Sequence, residues 1–349
     1  MIVNNLNENR PIFAIQQKKY YLDNLIAEGG YALIYKIQSV EDNKLYALKK
    51  ITIQSPSHKK QIKREIKIWK ELSKFGNIVE LKDFQWGEKH AYIIMELCEE
   101  GTLLDYVNNY EGNIPEMEAL QIFNQILFGV NAMHSQKPPI AHRDLKIENI
   151  LKKKRDYKLC DFGSASDEPF DPKISDEFVK EQNFANFEKN STLYYRAPEM
   201  CDRYGEHIVN EKVDIWALGC IMAELYNLRP LFPGQSEFDQ IEKIFKILGT
   251  PKNGEWDEGI ELMERLGMVP NQYTGINLRK MFLEISEDAL NFMELIFQYN
   301  ENRRPSAEEL LNHPYLANQI NNEENNDNYY YNKENIYRRL NRNFSKNFG

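Results

Sequence analysis

His142-Arg143-Asp144-Leu145-Lys146-Ile147-Glu148-Asn149 is the stretch on which the reading of this chain turns. Asp161-Phe162-Gly163 and then Ala197-Pro198-Glu199 follow it, and Ala47-Leu48-Lys49 precedes it. Any one of these short strings can arise by accident. The ordered set at these spacings hardly can, so the chemistry of the chain is sought where the strings lie.

The 349 residues, 42% of them hydrophobic, suffice to bury one large core or two adjoining ones. A formal net charge of −9 argues against a nucleic-acid-binding surface as the main purpose. Cys98, Cys160, Cys201 and Cys220 stand far apart with no C-x-x-C pair, which fits neither a disulfide framework nor a structural zinc site and points to a reducing compartment. Met1 to Arg10 is Asn-rich without an apolar signal-peptide core, position 2 is not Gly, and no apolar run is long enough for a membrane span. The expected location is therefore cytoplasmic. In that setting the glycosylation-like strings Asn190-Ser191-Thr192 and Asn343-Phe344-Ser345 are chance matches.

From Lys19 to Ile53 apolar and polar residues alternate in runs broken at Glu28-Gly29-Gly30 and Glu41-Asp42-Asn43, which reads as three antiparallel strands. Pro56-Ser57 then opens a helix with Ile62, Ile66 and Trp69 at helical spacing, and Ile78–Phe84 and His90–Met95 read as two more strands. This makes a five-stranded lobe. After Glu96 the period changes: Leu120, Phe123, Leu127 and Val130 mark a long helix starting near Pro115, with further helices from Val213 onward. Beyond Pro314-Tyr315-Leu316 the Asn- and Glu-rich composition buries little and reads as a tail without assigned structure.

Taken together, the motifs resemble the signature set of the eukaryotic protein kinases over about residues 20–316. The resemblance implies an α+β, bilobal protein kinase fold: an N-terminal extension (1–19), a small antiparallel five-stranded β lobe (20–97), a mostly helical lobe (98–316) with an insert at about 251–285, and a low-complexity tail (317–349). It also implies ATP and Mg2+ as cofactors. Ala27-Glu28-Gly29-Gly30-Tyr31-Ala32 lies where such enzymes place a G-x-G-x-x-G loop, which needs glycine because a Cβ keeps backbone N–H groups away from phosphate oxygens. Only Gly29 of the three glycines is kept, with Ala27 and Ala32 at the other two places. On the family pattern Lys49 bridges the α and β phosphates and Glu65 holds its ammonium. Ile34, Ala47 and Leu159 sandwich the adenine ring, the backbone of Glu96 to Cys98 bonds its edge, and Met95 guards the rear of the pocket. By residue type alone each of these apolar side chains could equally be plain core.

Phosphoryl transfer needs the hydroxyl aligned on the γ-phosphorus and the developing charge neutralised. The resemblance gives Asp144 the hydroxyl and its proton, Lys146 the γ-phosphate, and Asn149 and Asp161 the magnesium ions, a neutral and an anionic oxygen ligand. Lys146, two residues after Asp144, is typical of enzymes acting on Ser and Thr. His142 reads as structural, Thr192 as a partner of Asp144 and Lys146, Asp214 as the anchor beneath the catalytic loop, and Glu199 with Arg304 as a buried ion pair. The expected activity is thus a protein serine/threonine kinase, with a pseudokinase scaffold as the alternative that the altered glycine loop supports.

Within the superfamily the likenesses are mixed. Lys63-Arg64-Glu65-Ile66 and Asp161-Phe162-Gly163-Ser164-Ala165 resemble the numb-associated kinases, which share an Ala at the third glycine position and act on endocytic clathrin-adaptor subunits. Met222-Ala223-Glu224-Leu225, Arg229 to Gly234 and Ile247 to Pro251 are similar to the cyclin-dependent and MAP kinase group, above all its male-germ-cell-associated branch linked to cilia. Protein substrates with Ser/Thr acceptors are implied either way, endocytic adaptors on one parentage and ciliary proteins on the other. Arg196 lines the pocket for the residue after the acceptor, Gly or Pro by parentage. Arg64 and Arg143 are two of three basic residues that commonly cradle a loop phosphate, but Ser166 stands at the third place and no Thr-x-Tyr pair precedes Ser191. Weak dependence on loop phosphorylation is expected, with Ser175 and Ser191 the nearby serines.

Overall fold

The structure is a computed structural model and describes residues 10–168, 193–201, 209–265 and 271–316. Thr192, Ser175, Ser191, both glycosylation-like strings and the tail beyond Leu316 lie outside the described residues. The chain forms two compact units, Met1–Gly101 with Leu151–Ser164, and Thr102–Ile150 with Ala165–Gly349.

In the first unit the strands are β1 (Ile12–Ile15), β2 (Lys18–Glu28), β3 (Ala32–Ser39), β4 (Leu45–Thr52), β5 (Leu81–Trp86) and β6 (His90–Glu96). They form one antiparallel sheet in the order β1-β2-β3-β4-β6-β5. Among the described residues the sheet therefore has six strands, not the five expected from the sequence. The additional strand, β1, is four residues long, too short to show an alternation. Its turn onto β2 uses Gln16 and Gln17, both at positive φ (49° and 69°), where Asn or Gly is the usual signal. Tertiary contacts hold it there. Ile12 and Ile15 are buried, and Gln16 donates its backbone N–H to Gln85 Oε1 (2.9 Å) and its side-chain amide to Phe84 O (3.1 Å) on β5.

Register divides this sheet into two working faces. Ile34 pairs with Lys49, Ala47 with Met95 and Lys49 with Ile93, so these side chains, with Ala27 opposite Ile34, share one face. Tyr35, Ile37, Tyr46, Leu48 and Ile94 fall on the other and pack with Ile15 and Tyr20 into a hydrophobic cluster. Helix α1 (Pro56–Leu72) begins as the sequence signals: Ser55 caps it by accepting the His58 N–H at 3.0 Å, and Pro56 needs no donor in the first turn. Its buried stripe is Ile62, Glu65, Ile66 and Trp69, and the Trp69 indole donates to Val79 O at 2.6 Å. A small hairpin of β7 (Ile150–Lys153) and β8 (Asp156–Leu159) leads to Asp161.

Helices make up the second unit: α2 (Leu103–Asn108), α3 (Glu116–His134), α4 (Lys212–Asn227), α5 (Glu237–Leu248), α6 (Asp257–Arg265), α7 (Leu278–Met281), α8 (Glu287–Ile296) and α9 (Ala307–Leu311). Pro115 immediately precedes α3, as read from the sequence. Helix α4 is buried on every side from Val213 to Tyr226, so it carries no polar stripe and serves as the post around which the others pack. Its Gly219 is required: a Cβ there would stand 2.6 Å from Ile296 Cγ2 and 2.9 Å from Phe297 Cε1. Trp216, Phe232 and Phe297 fill the adjoining core with ring centroids 5.1 to 5.8 Å apart.

Candidate functional site

The candidate residues fall into two constellations, one in each unit. In the first, the Lys49 ammonium on β4 lies 2.8 Å from Glu65 Oε1 on α1 and 3.1 Å from Asp161 Oδ1. Burial opposes the charge on Lys49, but the Asp161 and Glu65 carboxylates overcome it and raise its pKa above the ordinary lysine value. Two further ties fix α1 to the segment after Asp161. Gln61 donates to Gly163 O at 3.2 Å, and the buried Phe162 ring lies 5.7 Å from Trp69. Asp161 itself adopts φ 61° and keeps 49% of its side chain exposed, an anion presented at the end of a strained backbone.

The hairpin before Lys49 closes with its two alanines in place, Ala27 opposite Ile34 and Gly29 N–H donating to Ala32 O at 2.8 Å. Gly29 is not at positive φ, and a Cβ on it would meet only Ala32 O at an ordinary 3.7 Å. The fold makes no demand for glycine there. Gly30 is exposed at the tip. Ala47, Met95 and Leu159 are buried, Ile34 and Cys98 half-buried. Burial, with Glu96 in second place, pushes the Cys98 thiol up to about 12, so it is no nucleophile.

In the second unit, Asp144 Oδ1 and Oδ2 accept from Lys146 Nζ at 3.1 and 2.9 Å. The Asn149 amide nitrogen donates to Asp144 O (2.8 Å) and Oδ2 (3.0 Å), which turns its amide oxygen the other way. The loop is hung from Asp214 on α4, only 1% exposed, whose carboxylate accepts the N–H groups of His142 (2.7 Å) and Arg143 (2.9 Å) and faces His134 Nε2 at 2.9 Å. Burial works against the Asp214 anion, but the hydrogen bond and charge of His134 and the backbone donors prevail and hold its pKa below the usual value. These bonds keep Arg143 at φ 64°, and His142 is fully buried with Nδ1 accepting the Asp144 N–H at 3.3 Å.

Glu199 and Arg304, read as a buried pair, meet in two parallel bonds of 2.6 and 2.7 Å. Arg304 also donates to Gln298 O and Tyr299 O, at 2.8 and 3.1 Å, and lies over the Trp216 ring. Arg196 is buried with Nη1 3.3 Å from Glu237. Three features escaped the sequence. Ile26, at the bulge between Leu25 and Ala27, is 48% exposed, signalled only by two consecutive apolar residues that break the alternation. The Glu96 carboxylate is buried, although only its backbone was given a role. Glu224, 3% exposed, accepts from Tyr195 OH at 2.5 Å, and burial pushes its pKa up to about 7.

The family model of the protein kinase domain matches residues 20–316. Serine/threonine-protein kinase ICK of Rattus norvegicus is 35% identical over 293 residues, 83% of this chain and 44% of that protein. Serine/threonine-protein kinase MAK of Homo sapiens is 34% identical over the same length, with the same two shares. The cyclin-dependent kinase 4 homolog of Caenorhabditis elegans is 33% identical over 307 residues, 85% of this chain and 70% of that protein. The chain thus spans less than half the length of the ICK and MAK proteins it matches.

Proposed function

The chain belongs to the protein kinase family, and from that premise we propose that it transfers the γ-phosphate of Mg-ATP to Ser and Thr hydroxyls of protein substrates. The observation that carries the reading is the Asp144–Lys146–Asn149 constellation, a carboxylate held by an ammonium and an amide on a loop anchored to a buried helix. Asp144 accepts the proton of the substrate hydroxyl, and Lys146 keeps that carboxylate oriented and adds positive charge beside the transferred group.

Each residue that the family pattern gives to magnesium offers a hard oxygen, a neutral amide oxygen on Asn149 in the second unit and an anionic carboxylate on Asp161 in the first. When bound, the metal neutralises phosphate charge. Lys49, held by Glu65, binds the inner phosphates; Gly29 and Gly30, with Ala27 at the loop's start, let the backbone approach them. Ile34, Ala47, Met95 and Leu159 supply apolar contact to the base, and the backbone of Glu96 and Cys98 bonds its edge. The scaffold alternative draws on the loop alanines alone, and the hairpin closes with them in place.

No helix among the described residues is long and apolar enough to cross a membrane, and the four separate cysteines support a cytoplasmic place. The likeness to the serine/threonine-protein kinases ICK and MAK supports Ser and Thr as the acceptor residues. The test is Asp144→Asn with a peptide substrate. Turnover falls about 10² to 10⁴ fold while Mg-ATP binding by calorimetry stays near wild type; unchanged turnover removes Asp144 from its role.

A further inference from the structure

The buried carboxylate at the end of β6 has its oxygens engaged by groups from elsewhere in the first unit. Glu96 Oε2 accepts from Lys153 Nζ at 2.6 Å, and Oε1 accepts from Lys158 Nζ at 2.8 Å and from the Glu80 N–H at 2.8 Å. The side chain is 7% exposed. Burial disfavours the anion, but the two lysines and the Glu80 N–H prevail and hold its pKa below the usual carboxylate value. Lys153 ends β7 and Lys158 lies on β8, so one side chain clamps both strands of the hairpin. Two backbone contacts continue the seam: Lys152 N–H donates to Gly101 O at 2.9 Å, and Lys154 N–H donates to Glu100 Oε1. The far end of the hairpin is fixed as well. Leu159 exchanges backbone bonds with Asn77 (2.8 Å) and Val79 (2.9 Å), one residue away from Glu80.

We propose that Glu96, with Lys153 and Lys158, is a positioning cluster for the nucleotide: it locks the peptide groups of Glu96 to Cys98 to the hairpin that carries Leu159 and Asp161. This rests on the proposal that the chain binds Mg-ATP, with the base edge on the backbone of Glu96 to Cys98. Recognition of a base edge by backbone groups has no side chain to adjust, so the orientation of those peptide planes alone sets the hydrogen-bond geometry. A surface carboxylate would serve less well. Exposed ion pairs hold little, whereas a buried anion with its donors in place fixes several groups at once, and removing the lysines leaves it uncompensated.

The test compares wild type with Glu96→Gln and with Lys153→Met/Lys158→Met, measuring kcat, the KM for ATP, the KM for a peptide substrate and the melting temperature. The expected result is a rise of about fivefold to tenfold in the KM for ATP, the loss of one well-aligned hydrogen bond, with kcat and the peptide KM within about twofold. The triple variant shifts the ATP KM less than the sum of the two. A cluster that only supports the fold lowers the melting temperature and the active fraction equally for both substrates and leaves the ATP KM at wild type, which overturns the proposal. If wild type itself takes up no Mg-ATP, the underlying kinase reading fails instead.

Discussion

Glu224 puts a titration near neutral pH into the core of the second unit. Its carboxyl is 3% exposed, accepts from Tyr195 OH, and is raised by burial from 4.5 to about 7. In the unfolded chain the same group loses its proton near 4.5, so between these values the folded state binds more protons. Stability from this group is therefore full at low pH and declines as pH rises through 7. Between pH 5 and 8 the loss comes to about 2 to 3 kcal/mol, at 1.36 kcal/mol for each unit of difference. Glu224→Gln keeps an acceptor for Tyr195 and abolishes the titration. Urea titrations of both proteins from pH 5 to 8 should show the wild type losing that amount relative to the variant, with the steepest change below pH 7. Parallel profiles would mean that the carboxylate is already ionised in the fold and would refute the reasoning.

Arg304→Met strips the Glu199 carboxylate of both its bonds and leaves a buried charge without compensation, which should cost about 3 to 5 kcal/mol of stability in denaturant titration. Adding Glu199→Gln should recover part of that loss. Phosphatase-treated enzyme should keep its activity on a peptide, because Arg143 Nη2 and Ser166 Oγ both donate to Glu168 O (2.6 and 2.8 Å), and Ser166 pairs its backbone with Ala141. These bonds hold the start of the segment after Asp161 by backbone and hydroxyl groups, without a phosphate. An enzyme left inactive by phosphatase would contradict this.

Much of the molecule was legible because its signals are local. Ser55-Pro56 marks the start of α1, the change of period after Glu96 marks the helical unit, and the short motifs name Lys49, Asp144, Asn149 and Asp161 without any knowledge of contacts. What the sequence left open depends on partners distant along the chain. A run of four residues, Ile12–Ile15, becomes a strand only because β2 and β5 receive it, and its turn uses glutamines where no glycine announces one. The sequence alone thus named the residues proposed to bear the chemistry and determined the elements that carry them, since caps, periodicities and motifs act over a few residues. Tertiary structure alone decided the states of Glu96 and Glu224, whose partners lie 57 and 62 residues away for the two lysines and 29 for Tyr195. Burial and charge compensation are properties of a neighbourhood in space, and no stretch of chain carries its own.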